Sequence, residues 1–225
     1  MKRGFAIITA LGAVTAAHAI ILDDFESGNL ATYTTAAGGA FASVTGAAAY
    51  AGNFGVSFPS TGGPAFYYDT ARVTSAGTQT RAKVRATTDG GRIYLGVNAS
   101  AGGTWSAVLA WNTSQLLLQN NTSWGFTTAA STAFDPLANT WYTLEMDWKA
   151  NGDMIVNVFD DPGNNLLAST AAVSTGLTGS GGVAFRGFSS GTGQIHMDNI
   201  EAVPEPATMA ALGIGVAAML RRRRK

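Results

Sequence analysis

The chain has no cysteine in its 225 residues and only two histidines. That excludes a disulfide framework, a zinc ribbon and a thiol nucleophile, and leaves almost no material for a histidine triad or a histidine metal site. Charge is also scarce. Asp, Glu, Lys and Arg make up 12% of the chain, about half of the roughly 25% usual in soluble domains. The formal net charge of +0 averages unlike parts. Lys2, Arg3 and the run from Arg221 to Lys225 hold half of the basic residues at the two ends. Between Ile20 and Val203 there are 7 Lys and Arg against 13 Asp and Glu, a balance of −6. A body without a basic face excludes a nucleic-acid binder, which must neutralise phosphates. No repeat of fixed period is visible, which argues against a solenoid or propeller.

The ends read as addresses. Met1-Lys2-Arg3, a small apolar run over 4–17 and Ala17-His18-Ala19 form a basic region, an apolar region and a small-x-small cleavage site, so residues 1–19 are expected to leave as a signal peptide, taking His18 with them. At the other end, Pro204-Glu205-Pro206 precedes an apolar stretch over 207–220 and then five basic residues, Arg221 to Lys225. Fourteen helical residues rise about 21 Å, short of the roughly 30 Å hydrocarbon core, so the segment suits a transient stop in the inner membrane with a cytoplasmic basic anchor. In the order of its three parts the tail resembles the PEP-CTERM sorting signal of Gram-negative bacteria. A sortase signal would need Leu-Pro-x-Thr-Gly, and a glycolipid-anchor signal would end apolar. The resemblance implies an exosortase as processing partner, cleavage near Pro204-Glu205-Pro206, and residence in the envelope, at the outer surface or in extracellular polymer.

Between the ends, at 20–203, short runs of Val, Ile, Thr, Tyr, Phe and Trp recur, split by Gly, Asn, Ser and Asp. Strands are expected near 78–87, 91–98, 104–111, 114–119, 141–149, 153–160, 182–188 and 193–203. Asn151-Gly152 marks a hairpin, and in 141–149 period two puts Tyr142, Leu144, Met146 and Trp148 in the core with Thr143, Glu145, Asp147 and Lys149 facing water or a groove. The expected fold is all-β: a two-sheet antiparallel sandwich or a barrel. Trp141-Tyr142, Asn151-Gly152, Leu166-Leu167, Gly182-Val183-Ala184-Phe185-Arg186 and Asp198-Asn199-Ile200, with the opening Leu22-Asp23-Asp24-Phe25-Glu26, resemble the concanavalin A-like jelly roll, in particular laminin G-like domains. That resemblance implies a jelly-roll sandwich and supports the fold more than any function.

Three groups of residues are candidates for chemistry. Glu145-x-Asp147 matches two of the three carboxylates that jelly-roll glucanases of the laminarinase type place on one strand face, but no second Glu follows, so the general acid of a retaining mechanism is missing. First and last strands of a sandwich meet at one edge, where Asp23, Asp24 and Glu26 would come close to Asp198 and Asn199; these hard oxygens suit a structural Ca²⁺, and the resemblance points to Glu26 and Asp198 first. Trp105 and Trp111 share a face if one strand runs through both, and with Asn112 and Gln115 they offer rings and amides to a sugar. The ordinary alternative is that these tryptophans fill the core.

The leading expectation is an exported protein whose jelly roll binds extracellular polysaccharide or plays an adhesive or structural part. The alternatives are a hydrolase or lyase on the same fold and a ligand-free scaffold. The balance of −6 favours a neutral or basic sugar, unless calcium bridges an acidic one.

Overall fold

Alternation of large apolar and polar side chains builds sixteen strands among the described residues, which are 19–39, 41–58 and 63–204 of this computed structural model. The signal peptide expected at 1–19 (all but Ala19), Glu205, Pro206 and the apolar run 207–220 lie outside the described residues. In chain order the strands are β1 (Ile20–Asp23), β2 (Thr34–Ala36), β3 (Ser43–Thr45), β4 (Gly55–Phe58), β5 (Phe66–Ser75), β6 (Thr78–Ala86), β7 (Arg92–Ser100) and β8 (Gly103–Ala110). They continue with β9 (Gln115–Thr122), β10 (Thr127–Ala133), β11 (Tyr142–Trp148), β12 (Asp153–Phe159), β13 (Leu166–Ser169), β14 (Val173–Ser174), β15 (Ser180–Phe188) and β16 (Ile195–Pro204).

The first sheet runs β13-β12-β11-β6-β16-β4-β3, with β1 joined to β16 and β14 to β12; the second runs β10-β9-β8-β7-β15-β5-β2. The hydrogen-bonded neighbours are antiparallel, as in β6 with β11 and β7 with β15. The two sheets stack face to face as a jelly roll, and period two decides what lies between them. Ala82 and Val84 of β6, Leu144 and Met146 of β11, and Leu95 of β7 all point into one core. Phe185 sits near its centre, edge-on to Phe25, Tyr33 and Phe58 at 4.8–6.0 Å and stacked on Tyr67 at 5.3 Å.

The hairpin at Asn151-Gly152 forms between β11 and β12, and Gly152 alone takes the left-handed conformation, φ 88°. Its N–H donates to the Lys149 carbonyl at 2.9 Å. As the alternation of 141–149 predicts, Tyr142, Leu144, Met146 and Trp148 are core. The opposite face departs from expectation. Glu145 is 1% exposed, because Arg81 of β6 and Asn157 of β12 close over it: Arg81 Nε donates at 2.6 Å and Asn157 Nδ2 at 2.7 Å. Long side chains from both neighbouring strands have roofed a face that the pattern alone assigns to water.

Candidate functional site

The residues proposed from the sequence for sugar binding are not brought together on an open face. β8 ends at Ala110, and Trp111 opens a 3₁₀ turn. Trp111 is 3% exposed in the core, with its indole N–H donating to the Leu137 carbonyl at 3.4 Å, so it offers no free ring to a sugar. Trp105 follows Ala107 and Leu109 toward the core side and is half-buried. It also lines a pocket of about 190 Å³ at the β7–β8 turn with Asn98, Ser100, Thr104, Thr122 and Leu177. Gln115 is half-buried at the start of β9, opposite Ala110, and exposed Asn112 accepts a hydrogen bond from Arg92 Nε at 3.0 Å.

The aromatic surface lies on the other side of the same sheet. Period two turns Phe66 and Tyr68 of β5, Tyr94 of β7, Val108 of β8, Leu117 of β9, and Arg186 and Phe188 of β15 away from the core, and most of these residues form a second apolar cluster there. The β9–β10 loop folds across it. Ser123 and Trp124 both adopt left-handed backbone, φ 52° and 61°, and the Gly125 N–H closes the turn on the Thr122 carbonyl at 3.1 Å. This is the type I′ geometry that Asn-Gly satisfies cheaply, and for Ser-Trp it costs on the order of 1–2 kcal/mol per residue. The turn is held by Asn121 Nδ2 on the Gly125 carbonyl at 2.6 Å and by the Ser123 N–H on the Gly102 carbonyl at 2.7 Å. What the strain achieves is placement. The Trp124 ring lies 5.1 Å from those of Phe66 and Tyr68, four strands away in the sheet, and its indole N–H donates to the Ala101 carbonyl. Phe126 stacks on Phe66 at 5.8 Å and remains 53% exposed.

Arg186 stands in the middle of these rings. Its guanidinium is 4.8–5.4 Å from Phe66, Tyr94, Phe126 and Phe188, and its Nε donates to the Pro64 carbonyl at 3.0 Å. Burial holds it below the ordinary arginine value, and the charge of Arg92 acts in the same direction. On the same outer face, Ser106 Oγ, Gln119 Oε1 and Asn121 Oδ1 are buried without a hydrogen-bond partner among the described residues. Ser106 and Gln119 face each other across β8 and β9, with Asn121 opposite Thr104 one pair along that face. No pattern in the sequence separates these from core residues. The one local signal is Ala184-Phe185-Arg186-Gly187-Phe188, where period two sends Arg186 and Phe188 to the side opposite Phe185.

The outer face of the first sheet has spent its charges internally. Arg81 pairs with Glu145, Lys149 with Asp147, and Lys83 with Asp161 at 3.1 Å. Tyr50 donates to Asp161 at 2.6 Å, which, with burial, pushes its hydroxyl up to about 12. Arg85 lies over the Trp141 ring at 4.6 Å and donates to the Ala47 carbonyl and to His196 Nδ1, at 3.0 and 2.9 Å. His196 therefore carries its proton on Nε2, which donates to Gln194 Oε1. Burial first, and Arg85 second, push this imidazole down to about 4.

The carboxylates proposed for calcium divide. Asp23 is taken by Arg72 and by the Tyr33 hydroxyl, each at 2.8 Å. Asp24 is exposed and caps the Glu26 N–H. Glu26 and Asp198 meet at one loop. Glu26 accepts from the N–H groups of Asn53 and Phe54 and from Asn53 Nδ2, and these bonds, the side-chain one first, hold its carboxyl low. Asp198, 0% exposed, accepts from the N–H groups of Tyr50 and Ala51 on one oxygen and from that of left-handed Asn199 on the other. Burial raises its carboxyl, and the charge of Glu26 adds to the effect. Glu26 Oε2 and Asp198 Oδ1 each accept a single bond, so each keeps a lone pair, and neither carboxylate ion-pairs with a cation among the described residues. Two hard oxygens with uncompensated charge fit Ca²⁺, which takes 6–8 such ligands. No group of three or more acidic or histidine side chains gathers among the described residues.

Among solved structures the chain is similar to the carbohydrate-binding module CBM66 from Bacillus subtilis, with a TM-score of 0.57 and 11% identity over 76% of this chain and 95% of that one. It is also similar to a Bacillus subtilis protein of unknown function with a galectin-like fold, with a TM-score of 0.56 and 10% identity over 78% of this chain and 91% of that one. At such identities the likeness establishes the jelly-roll fold. No curated protein sequence matches. The C-terminal residues 202–225 match the PEP-CTERM protein-sorting motif, so the motif begins on β16 itself, whose Ala202 and Pro204 pair with Thr80 and Thr78.

Proposed function

We propose that this is an exported protein of the envelope or extracellular matrix of a Gram-negative bacterium, processed by an exosortase, whose jelly roll binds polysaccharide on the outer face of the second sheet. The sorting motif supports export and processing. The observation that carries the binding reading is the left-handed Ser123-Trp124 turn, which spends backbone energy to lay Trp124 and Phe126 beside Tyr68 and Tyr94. Sugar rings stack on such faces, and half-buried Trp124 and exposed Phe126 present theirs to solvent. Glu145, the carboxylate that a hydrolase on this fold would use, is committed to Arg81 and Asn157.

A structural calcium belongs to the same reading. Glu26 and Asp198 would hold it, with backbone carbonyls and water completing the shell, and its charge would offset the buried Asp198 carboxylate and fix the 50–54 loop.

Affinity electrophoresis in polysaccharide gels tests the binding. Wild type is retarded, and Phe126→Ala migrates freely while keeping a cooperative melt. Absence of retardation in every gel leaves the scaffold reading. Processing is tested by replacing Pro204-Glu205-Pro206 with alanines, which leaves the precursor uncut in the inner membrane; normal processing of that variant contradicts exosortase recognition.

A further inference from the structure

The body of this protein is acidic, yet two of its arginines stand side by side on the sugar-facing sheet without an acid. Arg72, Arg81, Lys83 and Lys149 each pair with a carboxylate. Among the described residues, Arg85, Arg92 and Arg186 do not, and Arg85 is held instead by the Ala47 carbonyl, His196 and the Trp141 ring. Arg92 and Arg186 are diagonal neighbours on β7 and β15, where Arg186 faces Tyr94 and Arg92 faces Phe188. Diagonal positions lie about 7–8 Å apart, within reach of long side chains, and like charges so placed repel. After burial, which holds the Arg186 guanidinium below its ordinary value, and against Tyr94, which raises it, the charge of Arg92 acts in the direction of that repulsion. Both groups are partly open to solvent, Arg92 held by Asn112 Oδ1 and Arg186 by the Pro64 carbonyl and the rings around it. With 13 acidic residues in the body, a carboxylate partner for either would have been easy to supply. Five of the acids ion-pair elsewhere instead, Asp23 and Asp69 with Arg72 at the β5 edge and Glu145, Asp147 and Asp161 on the first sheet, while Asp89, three residues before Arg92 in the chain, forms no ion pair with it.

Resting on the polysaccharide-binding reading above, we propose that Arg92 and Arg186 receive the carboxylate of an acidic sugar, a uronate unit of a polysaccharide, while its ring stacks on the exposed face of Phe126. A planar guanidinium matches a carboxylate two-pronged, and one anion between two arginines removes their repulsion as well as forming charge-assisted bonds. The aromatic walls lower the local dielectric and strengthen both contacts. The overall balance of −6 favours a neutral or basic sugar, but binding is decided by the groups at the contact, and there Arg92 and Arg186 lie among aromatic rings.

The test compares polygalacturonate, its fully methyl-esterified form and a neutral glucan in affinity gels, with the folded protein and its Arg92→Gln and Arg186→Gln variants. The expected result is retardation by polygalacturonate at least about tenfold stronger than by the ester, reduced by added salt, with the preference lost in Arg92→Gln at an unchanged melting temperature. If Arg186→Gln unfolds, Arg92→Gln still decides. Equal retardation by acid and ester, or a preference that survives in Arg92→Gln, overturns the uronate assignment and leaves sugar binding standing. No retardation by any of the three polymers overturns both.

Discussion

Glu26 and Asp198 grip the same loop from its two ends, Asp198 through the N–H groups of Tyr50 and Ala51 and Glu26 through those of Asn53 and Phe54. One residue follows the first strand and the other lies in the last, so the loop ties the termini of the sandwich together without a disulfide. If a calcium joins them, binding only the native state adds about 2.7 kcal/mol at a hundredfold excess over Kd. A chelator is then expected to lower the melting temperature of wild type and to leave Asp198→Ala unchanged. Identical wild-type melts with and without chelator contradict the calcium.

His196 makes the domain sensitive to acid. Its imidazole is held down at about 4 by burial and Arg85, against about 6.5 in the unfolded chain. The unfolded chain therefore takes up this proton first. The contribution of His196 to stability is full above pH ~6.5 and is lost as pH falls toward 4, at about 1.4 kcal/mol per pH unit. Unfolding free energies from urea melts at neutral pH and near pH 4.5 are expected to differ by about 2–3 kcal/mol less in His196→Gln than in wild type. Equal acid losses in the two proteins contradict a neutral buried histidine.

Removing Trp111 and removing Phe126 should have opposite consequences. Trp111 is core, so Trp111→Ala is expected to cost about 3–5 kcal/mol in a urea melt. Phe126 is 53% exposed just before β10 and touches Phe66, Tyr94 and Arg186 on one side, so Phe126→Ala should cost no more than about 1–1.5 kcal/mol while losing retardation in polysaccharide gels. A destabilised Phe126→Ala with full binding contradicts the assignment of this ring.

Glu145→Ala should be a stability variant. It strips the buried end from the Arg81 pair and leaves Asn157 without its acceptor, a loss of about 1–3 kcal/mol given that Arg81 is still partly solvated. A urea melt measures it, and a variant as stable as wild type contradicts the roofed geometry of that face.

Where one face of a strand is polar, the sequence was enough to find it. β6, β11 and β12 alternate cleanly, β16 does so on either side of a bulge at Asp198 and Asn199, and the expected spans 78–87, 141–149, 153–160 and 193–203 fall on them. β10, Thr127–Ala133, carries only Thr, Ser and Ala at the sheet edge and so has no apolar period to read. β5 is broken by a register shift opposite Gly181 and Val183, which interrupts the alternation around Asp69. The approach of Glu26 and Asp198 was legible because first and last strands of a sandwich are neighbours, and β1 does pair with β16. The sugar face was not. In β8 both sides are apolar, Ala107 and Leu109 toward the core and Val108 and Ala110 toward the roofing loop, so spacing could not tell which side of Trp105 was inside. Trp124 and Phe126 reach Phe66 and Tyr68 through a fold-back across four strands, a tertiary relationship that no local pattern encodes.

The outer face of the second sheet as the ligand surface is tested most directly by amide shift mapping. The folded domain, isotopically labelled, is titrated with oligosaccharides of whichever polymer retards it in gels. The expected shifts fall on Phe66 to Tyr68, Arg92 to Tyr94, Trp124 to Phe126 and Arg186 to Phe188, with the face around Lys83, Trp141 and His196 unmoved. Shifts confined to that opposite face, or to the pocket beside Trp105, contradict the account.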